Sequence, residues 1–158
     1  MKPSTTTKVV IGDKPITVAD VVEVAHGAPV ELSPRAHERI NSTRKVVDEL
    51  VHGEAAIYGL NTGLGHLRDQ RVPIETLREY QEAIVRMHAG GMGPPLPTSV
   101  VRAAMVSRVT GIALGGAGAT LAAAKMLVRM LNRGVHPVVP AVGSVGHRIS
   151  CTWRRSHW

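Results

Sequence analysis

Ile57-Tyr-Gly-Leu-Asn-Thr-Gly-Leu-Gly65 sets Tyr58, one of two tyrosines in the chain, among Gly59, Gly63 and Gly65, with Asn61, Thr62 and Leu64 between them. So little side chain suits neither a packed helix nor a strand interior, and glycine at this density permits positive φ and close backbone approach. The stretch is a shaped loop that carries a phenol to a chosen place. By composition alone its first reading is an interhelical linker with a surface tyrosine, and a site is the second. Other candidates are plainer. His88 reads as a helix-end histidine satisfied by a backbone carbonyl, and His136, beside Pro137, as structural. Ser144 is a hydroxyl in a Gly-Ser-Val-Gly turn and is not read as a nucleophile. Met87 and Met92 read as packing and Tyr80 as core. No metal site is expected.

The elements that must hold this loop are mainly helical. Lys8 to Ile16, a short apolar run with a Gly-Asp turn, reads as a small β-hairpin or an edge strand. Thr17 with Asp20 makes a capping box ahead of Val18, Val21, Val22 and Ala25, and Gly27 with Pro29 ends that helix. Ser33-Pro34 starts a second helix with the stripe Ala36, Ile40, Thr43, Val47 and Leu50 or Val51, and Gly53 is its C′ residue. After the loop a helix opens near Pro73, with Leu77, Tyr80, Ile84 and Met87 or His88 on its buried side. The Gly- and Pro-rich segment 90–97 reads as irregular. Thr98 caps the next helix, which runs through Val101, Ala104, Met105, Val109 and Ile112. Gly115, Gly116 and Gly118 break it. Thr120 starts the last one, through Leu121, Ala124, Leu127, Val128 and Leu131, and Asn132-Arg133-Gly134 closes it. His136 to Gly146 is extended, and no internal repeat is evident.

A chain of 158 residues suits one domain or a piece of a larger one. With no phenylalanine, the core must be built from Val, Leu, Ile, Ala and Met. No apolar run reaches the roughly 18 residues of a membrane span, and Met1 to Lys8 lacks the apolar core of a secretion signal. Cys151 is the only cysteine, so no internal disulfide forms and a reducing cytoplasm is expected. The formal charge is +7. Arg148, Arg154 and Arg155 carry three of those charges in an acid-free tail, and the rest read as solvated helix faces beside Asp and Glu. Nucleic acid is not the expected partner.

Four motifs occur in order: Tyr58 to Gly65; Met87-His-Ala-Gly-Gly-Met-Gly93 with Leu96-Pro97; Leu131-Asn-Arg-Gly-Val-His-Pro-Val-Val-Pro140; and Gly143-Ser-Val-Gly146. Together they resemble the N-terminal part of the histidine and aromatic amino acid ammonia-lyases, over nearly all of residues 8 to 146. The resemblance implies a long-helix bundle that assembles as a homotetramer, with a small amino acid as substrate. It implies removal of ammonia from L-histidine or an aromatic L-amino acid to give the unsaturated acid. The β-proton is hardly acidic, so an electrophile must activate the substrate and a positioned base must take the proton. The family's electrophile is a methylidene-imidazolone cyclised from its own Ala-Ser-Gly. Its base carries over to Tyr58, whose phenol has an ordinary pKa of about 10, so the site must favour the phenolate. By the same resemblance His88 contacts the substrate side chain and Asn61 matches the histidine branch. Leu64 departs from the commoner aromatic residue and reshapes the pocket wall.

After Gly146 the resemblance stops. His147 and Arg148 stand where the family continues with Ala-Ser-Gly, so the cofactor-forming residues are absent. Residues 1–146 thus read as an incomplete lyase-like region and 147–158 as a non-family tail. A one-base shift of frame accounts for it: among permitted codons, restoring one base after Gly146 returns Ala-Ser-Asp-Leu. The chain is expected to be inactive alone. The alternatives are an aminomutase of the same family and a non-catalytic fragment that associates with lyase subunits.

Overall fold

The structure, a computed structural model, describes residues 8–88 and 91–143. Chain order is β1 (Val9–Ile11), α1 (Val18–Ala25), β2 (Val30–Leu32), α2 (Pro34–His52), α3 (Ile74–Met87), β3 (Met92–Pro95), α4 (Thr98–Ala113), α5 (Leu121–Asn132) and β4 (Pro140–Val142), with a 3₁₀ turn at Gly65–Leu67. Side-chain caps fix three of the helix starts. Thr17 N–H donates to Asp20 Oδ2 at 2.7 Å and Asp20 N–H donates back to Thr17 Oγ1 at 3.2 Å, the expected capping box. Hydrogen bonding from the Thr17 backbone, then from its hydroxyl, holds the Asp20 carboxyl below its ordinary pKa. Ser33 Oγ accepts from Ala36 N–H at 3.1 Å with Pro34 in the first turn of α2, and Thr120 Oγ1 accepts from Ala123 N–H at 3.2 Å at the start of α5.

The fold is mainly α, as the sequence predicts, but the N-terminal strands are arranged differently. β1 pairs in parallel with β2, Val9 opposite Val30 and Ile11 opposite Leu32, so the expected hairpin is an edge strand whose partner returns only after α1. Pro15 has no N–H to give a returning strand, and Gly12, at φ +118°, turns the chain into α1 instead. The Gly- and Pro-rich segment is also more regular than expected. β3 forms an antiparallel two-stranded ribbon with β4, Met92 opposite Val142 and Pro95 opposite Pro140, with an irregular register between. A ribbon two strands wide tolerates proline because the missing N–H can face outward. Thr98 is the first residue of α4 and not its cap, Pro97 holding the cap position without a side-chain bond.

α4 is the central helix. Val101, Met105, Val106, Val109, Ile112 and Ala113 are buried against α1, α2 and α5, and the inward residues of both N-terminal strands complete the core. Ala104, which the sequence places on the buried stripe, is exposed. In its place the core holds Arg102, only 6% exposed. Its Nε donates to Val24 O at 2.7 Å, and Nη1 donates to Leu131 O and to His136 Nε2, both at 2.9 Å. One guanidinium therefore ties together the C-terminal ends of α1 and α5 and the segment that leads to β4, where helix carbonyls attract cations.

A guanidinium only donates, so His136 Nε2 must accept and the imidazole is neutral with its proton on Nδ1. Burial, and then the Arg102 charge, lower the His136 pKa. The unfolded histidine titrates near 6.5 and the folded one lower, so stability is whole above about 6.5 and declines as pH falls toward the folded-state value. His136→Gln keeps an acceptor for Arg102, and urea denaturation from pH 8 to 5 should show a flatter stability profile than the parent. Arg102→Ala removes three charge-assisted bonds and leaves a void, lowering stability by about 3 kcal/mol. Parallel pH profiles for parent and His136→Gln would refute the neutral-histidine arrangement.

Candidate active site

The Tyr58 loop is a closed excursion between α2 and α3. α2 ends at Gly53 in extended conformation, φ −72° and ψ 167°, not with the left-handed glycine expected there. Arg71 then closes the mouth, Nη1 donating to Glu54 O at 2.6 Å and Nη2 to Gly53 O at 2.7 Å. Val72 N–H donates to Asn61 O and Gly63 N–H to Gln70 O, both at 2.9 Å, around an isolated bridge between Thr62 and Arg71. Inside the clasp Asn61 is 2% exposed, its Oδ1 accepting from Ile57 N–H at 2.8 Å and its Nδ2 donating to Ala55 O at 3.0 Å. Buried Thr62 accepts from Gly59 N–H at 3.3 Å and donates to Gly63 O at 3.0 Å.

The three glycines are required for two different reasons. Gly59 and Gly65 sit at φ +76° and +63°, where a side chain is strained. Gly63 has no such angle, but a Cβ there would stand 2.5 Å from Leu67 Cβ. Leu64 precedes the 3₁₀ turn and lies beside Gly59.

Tyr58 is 56% exposed, and its phenol oxygen accepts from Gly65 N–H at 3.4 Å across the loop it begins. It opens on a cleft of about 850 Å³. Arg44, Val47, Leu50 and Val51 of α2 form one wall and Leu77 and Gln81 of α3 another, with Gly116-Ala117-Gly118 between α4 and α5 completing it. Gln81 Nε2 donates to Gly59 O at 3.4 Å and Arg44 Nη1 to Gly118 O at 3.3 Å, so the cleft walls are tied to the loop and to each other's turns.

The predicted site residues do not all share this cleft. Asn61 lines a separate hollow of about 390 Å³ with Val51, His52, Arg71 and Leu77. His88 lies outside both, capping α3 with Nδ1 donating to Ile84 O at 2.7 Å, the carbonyl contact expected of a helix-end histidine. Ser144 and the tail 147–158 lie outside the described residues. Met87 is 76% exposed and Met92 is exposed too, so neither packs as the sequence suggests. α3 has no fully buried residue, and Tyr80 is only half-buried. Arg71, Gln81, Thr62 and Arg102 went unrecognised in sequence. Only Arg102 left a signal, lying three residues before Met105 and four before Val106 on the helix face that is buried. Among the described residues no three His, Cys, Asp or Glu side chains gather as a metal site, and no helix is long and apolar enough to cross a membrane.

A tyrosine on a rigid glycine loop at a cleft between helices defines a class that comparison with known proteins then identifies. The family described as aromatic amino acid lyase matches residues 16–148. The histidine ammonia-lyase of Natranaerobius thermophilus is 39% identical over 123 residues, which is 78% of this chain and 24% of that one. Ergothionase, the ergothioneine-degrading enzyme of Treponema denticola, superposes with a TM-score of 0.84 at 27% identity over 89% of this chain and 28% of its own. Tyrosine aminomutase from Streptomyces globisporus does so at 0.83 and 27%, over 87% and 26%. The chain belongs to the aromatic amino acid lyase family, and it spans about a quarter of the length of these relatives.

If the clasp is what makes the loop rigid, its removal must show locally. Arg71→Ala should raise amide exchange at Gly63 and Val72 by about ten-fold while α4 amides are unchanged. Equal protection in the variant would show that Arg71 is a bystander.

Proposed function

We propose that residues 1–146 are the N-terminal region of a carbon–nitrogen lyase that eliminates ammonia from L-histidine or an aromatic L-amino acid, with Tyr58 as the base. The observation that supports this most is the Tyr58 phenol itself, held by its own loop at the edge of an open cleft and not packed into hydrocarbon. A proton acceptor must reach a substrate carbon, so it has to be exposed, oriented and rigidly backed. Asn61 and the three glycines supply the backing, Leu64 shapes the loop, and His88 is the substrate-contact candidate at the end of α3. In this reading the protein acts in the cytoplasm as part of a homo-oligomer.

The residues present do not fit the family's electrophile. Ala-Ser-Gly occurs nowhere in the chain, and His147 and Arg148 follow Gly146. No step is therefore assigned through that group, and the chain as it stands is inactive by itself, with 147–158 a frame-shifted tail. Two alternatives have an observation each. Structural likeness to tyrosine aminomutase favours movement of the amine to the neighbouring carbon. The uncovered apolar side chains Val85, Met87, Met92 and Val142 favour a fragment that joins lyase subunits.

Incubated with L-histidine, L-tyrosine or L-phenylalanine, the purified chain should release no ammonia and no unsaturated acid. A chimaera placing residues 1–146 ahead of the remainder of a histidine ammonia-lyase should be active, and Tyr58→Phe in it should lower kcat by about 10²–10⁴-fold with the fold intact. Unchanged kcat in that variant would remove the base assignment. The gene's nucleotides after codon 146 decide the frame.

A further inference from the structure

The cations of this chain are paired very unevenly. On α2 and α3 an acid stands four residues from its base, as in Arg44–Asp48, Lys45–Glu49, Arg78–Glu82 and Arg86–Glu82. No Asp or Glu follows Glu82, so the scattering of bases beside acids expected from sequence fails for α4 and α5. On α5, Lys125 and Arg129 lie four residues apart on one face, an arrangement of like charges that is unfavourable to a helix.

Both line one hollow of about 470 Å³, with His37 of α2 on the same lining and an apolar floor that includes Leu32 and Val128. Its one carboxylate, Glu31, pairs with Lys8. Residues 1–7, 89–90 and 144–158 contain no Asp or Glu side chain. The wall is fixed, because the Asn132 side chain closes the β2 edge by accepting from Val30 N–H at 2.8 Å and donating to Val30 O at 2.9 Å. A preformed concave site with a few convergent polar groups on apolar walls is what small ligands occupy.

We propose that this hollow binds a small organic anion, its phosphate or carboxylate head between Lys125 and Arg129 and its apolar body against Leu32 and Val128. The site is separate from the Tyr58 cleft, and the proposal does not rest on the lyase reading. The test uses the full chain titrated at low salt with phenyl phosphate, cinnamate and inorganic phosphate, followed by calorimetry and amide NMR shifts. Saturable binding of phenyl phosphate or cinnamate, tighter than inorganic phosphate, is expected, and the tighter of the two identifies the head group. The pair Lys125→Gln/Arg129→Gln should weaken it about ten-fold or more. Arg108→Glu on α4 changes net charge by the same amount away from the hollow and should leave affinity within about two-fold. Equal loss in both variants, or no saturable binding of either aromatic anion, overturns the proposal. Circular dichroism and thermal midpoints confirm that each variant is folded.

Discussion

Burial of the Arg102 guanidinium is the constraint on which the rest of the structure depends. A charge taken from water must find partners, and here they are helix-end carbonyls and a neutral imidazole instead of a carboxylate. Because those acceptors belong to three separate segments, α4 can hold its cation only if α1, α5 and the segment carrying His136 all arrive in register. Burial pulls the guanidinium pKa down from its ordinary value, yet arginine keeps its proton, so the arrangement is insensitive to pH on that side and sensitive only through His136.

The tyrosine loop solves a different problem. It leaves α2, makes a tight circuit and returns to α3 with none of its apolar side chains fully buried. Its rigidity comes from buried amide and hydroxyl groups, Asn61 and Thr62, and from the guanidinium fork of Arg71 across two consecutive carbonyls. Tyr58 accepts from Gly65 N–H within the same loop, and its side chain lines the cleft. The same economy explains why Asn61 sits in a separate hollow from the phenol: its side chain is engaged with backbone on both polar atoms.

The two halves of the molecule differ in how they finish their surfaces. The buried core gathers around α4, whereas the far half of α2, all of α3 and the β3–β4 ribbon contribute no fully buried residue. The positive surface of α5 is of another kind, since its cations line a hollow that no carboxylate of the same helix neutralises.

Local chemistry in the sequence determined the helix starts at Thr17, Ser33 and Thr120, the break at Gly115 to Gly118, and the glycine loop around Tyr58, because caps and positive φ act within a few residues. The ordered motifs determined the family. Tertiary structure alone decided that β1 would find β2 across α1, that Met92 to Pro95 would pair with Pro140 to Val142, and that Arg102 and Arg71 would serve as buttress and clasp. Those outcomes turn on partners distant in the chain, such as Val24 and Arg102, 78 positions apart. Spacing along a sequence carries no information about which carbonyls a long cationic side chain will meet.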